Sequence, residues 1–70
     1  MKPSLKNTIK VERARKGFTQ ADLAEKVGVT RLTIHSIEVG KFNPSVMLAL
    51  KIADCFGTKV EELFELENDD

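Results

Sequence analysis

Apolar residues recur along this chain at intervals of three and four, and each run stops at a glycine. Leu23, Ala24 and Val27 repeat at helical spacing before Gly28, and Ile34 and Ile37 do so before Gly40. A broader stripe of Leu48, Ala49, Ile52, Ala53 and Phe56 precedes Gly57. Ile9 and Ala14 give a thinner inward face before Gly17, and Phe18 beyond it should pin that turn into the core. Residues able to cap helices stand ahead of the runs. Asn7 can open a first helix running to Lys16, and Thr19 opens a second with Asp22 in a capping-box position. Ser45 can open a helix over Val46 to Phe56, and Thr58 with Glu61 makes a second box opening a helix through Val60, Leu63 and Phe64. Four glycine stops imply five short helices, and residues 1–70 read as one all-α domain. Between helices, Lys41-Phe42-Asn43-Pro44 is a loop whose phenylalanine is expected against the core. Met1 to Lys6, polar and carrying Pro3, reads as an extended arm. Phe64-Glu65-Leu66-Glu67 alternates apolar and acidic, which suits either a frayed helix end or a short strand.

The most specific local pattern lies in residues 20–39. Gly28 ends the first of two helices, because the position after a helix often needs positive φ. Val29 plugs the turn, Thr30 starts the next helix, and Ala24 is small enough for a close crossing. Two helices joined by a three- or four-residue turn containing Gly form a helix-turn-helix. The run Thr19-Gln20-Ala21-Asp22-Leu23-Ala24-Glu25-Lys26-Val27-Gly28-Val29-Thr30-Arg31 is followed by Thr33-Ile34, Ile37-Glu38, Gly40-Lys41 and Asn43-Pro44-Ser45. Together these resemble the Cro and phage-repressor (XRE-type) helix-turn-helix family, over about Ile9 to Phe64. The resemblance implies a five-helix, lambda-repressor-like DNA-binding domain. Some small regulators of this type also pair such a tail with the N-terminal arm in a two-stranded ribbon. Two departures stand out. Glu12 occupies a place that is often apolar, with Val11 expected to compensate, and Leu32 occupies one that is commonly polar.

Composition adds a boundary to this picture. Seventy residues is near the lower end of what folds alone, although a 41% hydrophobic content argues against disorder. A core of that size supplies only about 3–5 kcal/mol, so association into a dimer would be a useful supplement. The formal charge of zero hides a polarity: residues 1–41 hold nine Lys/Arg against four acids, and residues 42–70 hold two against seven. A solvated surface with a solubilising tail would explain this. So would a basic nucleic-acid face with an acidic end turned away, and the motif favours the second explanation. No stretch approaches the ~20 apolar residues of a membrane span and no signal-peptide pattern opens the chain, so a cytoplasmic protein is expected. Cys55 is the only cysteine and His35 the only histidine, so neither a disulfide nor a metal site is expected. There is no nucleophile–base set, paired carboxylate cleft or phosphate-binding loop, which speaks against an enzyme and leaves no cofactor or small-molecule ligand in view.

The second helix of such a motif lies in the major groove and reads base edges with its N-terminal part. With Ile34 and Ile37 inward, about 100° per residue turns Arg31, Leu32, His35 and Ser36 outward. Arg31 suits the O6/N7 fork of guanine. Leu32 either meets a thymine methyl or rotates inward to pack near the turn. Ser36 can bond a base or phosphate, or simply leave room. Thr30 can cap its own helix or reach DNA, and His35 sits at the rim. The resemblance suggests that Thr19 and Gln20, at the start of the first motif helix, grip a phosphate. Lys41 and Asn43 fall where backbone clamping is expected, and Arg13 with Glu38 forms a structural ion pair. A dimer reading two half-sites is expected, with Met47 of the fourth helix and Val60, Phe64 and Leu66 of the C-terminal part, residues 58–70 with their acidic tail, as candidates for its interface. These features favour a dimeric repressor binding double-stranded DNA at a symmetric operator. The alternatives are an antitoxin-like autoregulator that binds a toxin, or a protein-interaction module that has lost its DNA face.

Overall fold

Helix caps set most of the boundaries in the computed structural model, which describes residues 4–67. The start of the expected arm, residues 1–3, and the end of the tail, residues 68–70, lie outside the described residues. The order is β1 (Ser4–Asn7), α1 (Ile9–Lys16), α2 (Gln20–Val27), α3 (Arg31–Glu38), α4 (Val46–Phe56), α5 (Val60–Leu63) and β2 (Phe64–Glu67). The Thr19 hydroxyl accepts the Asp22 N–H at 2.9 Å while the Asp22 carboxylate accepts the Thr19 N–H at 2.9 Å, the reciprocal cap expected for α2. Thr30 accepts the Thr33 N–H at 3.2 Å and Ser45 accepts the Leu48 N–H at 3.1 Å, opening α3 and α4. Gly28, at φ +78°, turns the chain from α2 toward α3, and Gly40, at φ +82°, turns it out of α3. At both places a residue with a Cβ would meet strain.

Two caps differ from the sequence expectation. The cap residue of α1 is Thr8, which makes no side-chain cap bond. Asn7 still serves the helix start, its Oδ1 accepting the Ile9 N–H at 3.1 Å, while its amide donates to the Ile37 carbonyl at 3.0 Å. At α5 the acid of the box is Glu62 rather than Glu61. Its Oε1 accepts the Thr58 hydroxyl at 2.6 Å and the Lys59 N–H at 3.3 Å, so the helix starts one residue later. The alternating tail is a strand. It pairs antiparallel with β1, setting Leu5 against Leu66 and Asn7 against Phe64, and Lys6 bridges to Glu65 at 3.0 Å.

The core lies between α2, α3 and α4. Ile9, Leu23, Ile34, Ile37, Ile52 and Leu63 are fully buried, and Ala24 of α2 is buried with them. Phe18 stacks on Phe56 with 6.1 Å between ring centres, and Val29 packs against the same cluster. Four expected placements fail. Ala14 is exposed and Val11 is half exposed, so Ile9 is the only buried residue of α1. Eight residues make just over two turns, and this helix is held by an ion pair rather than by an apolar stripe. Phe42 is 49% exposed, because its N–H and that of Lys41 both bond the Ser36 carbonyl and fold the loop back over α3. Phe64, expected at a dimer surface, closes the monomer core instead, since the strand pairing turns it inward beside Val60 and Leu5. No helix among the described residues is long and apolar enough to cross a membrane.

Ile34→Ala should cost about 2–5 kcal/mol, because the emptied volume sits against packed neighbours on all sides. In a domain whose core supplies only a few kcal/mol, thermal melting followed by circular dichroism should show most of the variant unfolded at 25 °C. Val11→Ala should stay within about 0.5 kcal/mol of the parent. A large loss there would return Val11 to the core.

Candidate nucleic-acid interface

The buried pair Ile34 and Ile37 fixes which side of α3 faces out. Arg31, Leu32 and His35 are exposed, with Leu32 at 64%, and Ser36 is half-buried one turn along. The inward alternative for Leu32 is therefore excluded. Lys41 and Asn43 are exposed in the loop that follows. Thr30 and Thr33 share a hydroxyl–hydroxyl bond at 3.0 Å, so the Thr30 side chain serves its own helix. Thr19 is similarly engaged in its capping box.

Behind this face lies a polar network. Arg13 Nε donates to Glu38 Oε2 at 2.6 Å and Nη2 to Oε1 at 3.1 Å, a bidentate pair with side-chain exposures of 14% and 6%. Arg13 Nη1 also donates to the Phe18 carbonyl at 3.1 Å, tying the α1–α2 turn to the end of α3. Gln20 extends the network toward the surface. Its Nε2 donates to Glu38 Oε1 at 3.1 Å and lies 3.3 Å from His35 Nδ1, while its Oε1 accepts from Arg31 Nη1 at 3.3 Å. The amide orientation is thereby set, with nitrogen toward the carboxylate and oxygen toward the guanidinium. The Arg13–Glu38 pair is legible from the sequence through the resemblance. The link through Gln20 is not, because only the crossing of α2 over α3 brings residues 11 and 18 positions apart into contact.

Burial alone would raise the Glu38 carboxyl. The hydrogen bonds from Arg13 and Gln20, with the neighbouring cation, outweigh it and hold the group below its ordinary value. Arg13 moves upward through its bond to Glu38. A carboxylate depressed in the folded state stabilises above its unfolded pKa, and that stability is lost as pH falls through the lower folded value. Glu38→Gln should therefore flatten the decline of stability below the ordinary glutamate range of about pH 4.3. Near neutrality it should cost about 3 kcal/mol by leaving Arg13 with an uncharged partner. Urea titrations across pH would check both, and an unchanged acid limb would assign the acid sensitivity to other carboxylates.

On the same side of the molecule, Leu32, Thr33 and Ser36 of α3, together with Thr30, Lys41 and Phe42, line an open cleft of about 260 Å³. Sequence reasoning missed Phe42 here, since an aromatic residue in a loop next to a helix end ordinarily signals core. The acids Glu61, Glu62, Glu65 and Glu67 belong to α5 and β2, away from this cleft.

The helix-turn-helix family profile matches residues 9–63. An uncharacterised HTH-type transcriptional regulator of Methanocaldococcus jannaschii is 52% identical over 66 residues, covering 94% of this chain and 100% of that protein. YgzD of Bacillus subtilis, another uncharacterised HTH-type transcriptional regulator, is 49% identical over 93% of this chain and 98% of its own length. Among solved structures, the biofilm master regulator SinR in complex with DNA superposes with a TM-score of 0.69 at 35% identity, covering 76% of this chain and 86% of that one. The family is one of DNA-binding transcriptional regulators and not of enzymes. With residues 9–63 matched and a relative 52% identical over its full length, the chain belongs to the Cro/C1-type helix-turn-helix family.

Proposed function

We propose that the protein is a dimeric, sequence-specific repressor that occupies a two-fold symmetric operator, working in the cytoplasm. The observation that carries this reading is the division of α3: Ile34 and Ile37 are buried while Arg31, Leu32 and His35 stand clear. In the major groove Arg31 reads a guanine through its O6/N7 fork, and Gln20 steadies the guanidinium from behind. Leu32 supplies apolar contact, and Ser36 and His35 lie where they can reach the adjoining base or phosphate. Gln20 and Thr19 at the start of α2, with Lys41 and Asn43 after α3, hold the flanking backbone. Thr30 contributes mainly by capping α3.

A second copy is needed because one reading helix contacts too few bases, and half-sites about 34 Å apart suit a two-fold dimer. Met47 and Leu66, 67% and 71% exposed, fit that dimer surface, and exposed Val46 and Leu50 on α4 extend it. Val60 borders it, and Phe64 supports it from within the core. The proposal stands or falls on selection of bound duplexes from a random pool. It expects a palindromic motif with half-sites one helical turn apart, and a pool without enrichment would overturn it.

Arg31→Ala should cost about 1–3 kcal/mol on the selected site and relax preference at one base position. Equal weakening on every sequence would remove Arg31 from base reading. Lys41→Ala should weaken all duplexes alike and reduce the salt slope of log K by about one unit. An unchanged slope would exclude a phosphate contact there.

A further inference from the structure

The cleft between α3 and its following loop has a composition that phosphate clamping does not explain. Two of its walls are large apolar side chains held at the surface, Leu32 at 64% and Phe42 at 49% exposure. Neither is left there by slack. Leu32 is fixed by the helix whose isoleucines, two and five residues along, are buried. Phe42 is fixed because the Ser36 carbonyl accepts the Phe42 N–H at 3.2 Å and the Lys41 N–H at 2.9 Å, clamping the loop to α3. A third wall, Thr30 and Thr33, has its hydroxyls bonded to each other. The rim carries Lys41, which makes no ion pair among the described residues. Apolar walls under a cationic rim, beside Arg31, match one feature of duplex DNA. In the major groove the only apolar group displayed by a base edge is the C5-methyl of a pyrimidine, and it lies close to the phosphates of its own strand.

We propose that this cleft is a C5-methyl reader in which Leu32 and Phe42 enclose the methyl group of a thymine while Lys41 holds the neighbouring phosphate. The inference rests on the DNA-binding reading above and adds Phe42 as a specificity-determining residue. It also gives the loop after α3 a share in base reading, beyond backbone clamping. The methyl group is discriminated by burial alone, so the site distinguishes thymine from deoxyuridine, which pair identically and differ by that one carbon. At about 0.8 kcal/mol per buried carbon, removing it costs about fourfold in affinity at one half-site and about fifteenfold when both half-sites are altered.

The test replaces each thymine of a selected duplex by deoxyuridine in turn and measures affinity with the full chain. One position per half-site should show the fourfold loss, and the others should show little. Leu32→Ala and Phe42→Ala should each lower affinity for the thymine duplex and erase the thymine–deoxyuridine difference at that position. Lys41→Ala should weaken both duplexes and leave the ratio intact. The nucleotide change cannot unfold the protein, so that arm stands even if a variant is unstable. Selective binding with no thymine-to-deoxyuridine effect anywhere overturns the methyl reader and leaves the operator reading standing. Absence of selective binding to any duplex overturns the operator reading itself. A difference that survives in both apolar variants assigns methyl reading to other residues and removes Phe42 from it.

Discussion

The geometry of the proposed reading face depends on a carboxylate that cannot be left alone. Glu38 sits at the C-terminal end of α3 with its side chain 6% exposed, and a charge in that position demands compensation. Arg13 supplies it bidentately from α1, and Gln20 adds a donor from α2. Three helices are therefore tied at one carboxyl group. The apolar face of α1 could not do this, since Ile9 is its only buried residue. An ion pair of this kind adds little net stability compared with a well-packed apolar contact. Its geometric demand is strict, however, and it sets how α1 and α2 sit against the reading helix.

From that tie, order propagates outward along side chains. The Glu38 carboxylate orients the Gln20 amide, and the amide oxygen in turn receives the Arg31 guanidinium at 3.3 Å. A free arginine on a helix surface samples many rotamers, and ordering it in the proposed complex with DNA would cost entropy. Partial ordering beforehand lowers that cost. The loop after α3 is prepared in the same way, through two N–H groups on the Ser36 carbonyl. Arg31 and the loop that carries Phe42 thus rest on a carboxylate and a backbone anchor inside the fold.

Local chemistry explains why the sequence announced so much of this and where it misled. The caps at Thr19, Thr30 and Ser45 are visible because an N-cap needs only a short oxygen-bearing side chain at one position. The turns are visible because positive φ selects glycine. The family pattern told where an arginine and a glutamate should pair. What stayed hidden depends on surroundings that no short window contains. Ala14 fits an inward stripe by spacing, but an eight-residue helix tethered by Arg13 turns that side to solvent. Glu62 rather than Glu61 closes the α5 cap because the helix starts one residue later than Thr58 suggests. Phe64 is claimed by the β1–β2 pairing, a contact between the two ends of the chain. Phe42 looked like core because it is aromatic, whereas the bonds that expose it are made by backbone atoms and carry no residue signature.

The exposed apolar residues show how a chain of this size divides its surface. A small domain has too little interior to hide every large side chain, so scattered exposure needs no account. Here the exposure is grouped. Leu32 and Phe42 share one cleft with Lys41, while exposed Val46 and Leu50, with the partly buried Leu5 and Val60, line another whose floor is the buried Phe64. The first group carries a cation at its rim and neighbours Arg31, whereas the second is lined almost wholly by apolar side chains, with only Ser45 and backbone to add polarity. Apolar surface mixed with cations suits a polyanion whose bases carry methyl groups, and it is unsuited to packing against an identical copy, since like charges would meet. Apolar surface without charge suits an identical copy and offers nothing to phosphates. The two kinds of patch are thus separate, which matches the proposed use of one for DNA and leaves the other uncharged.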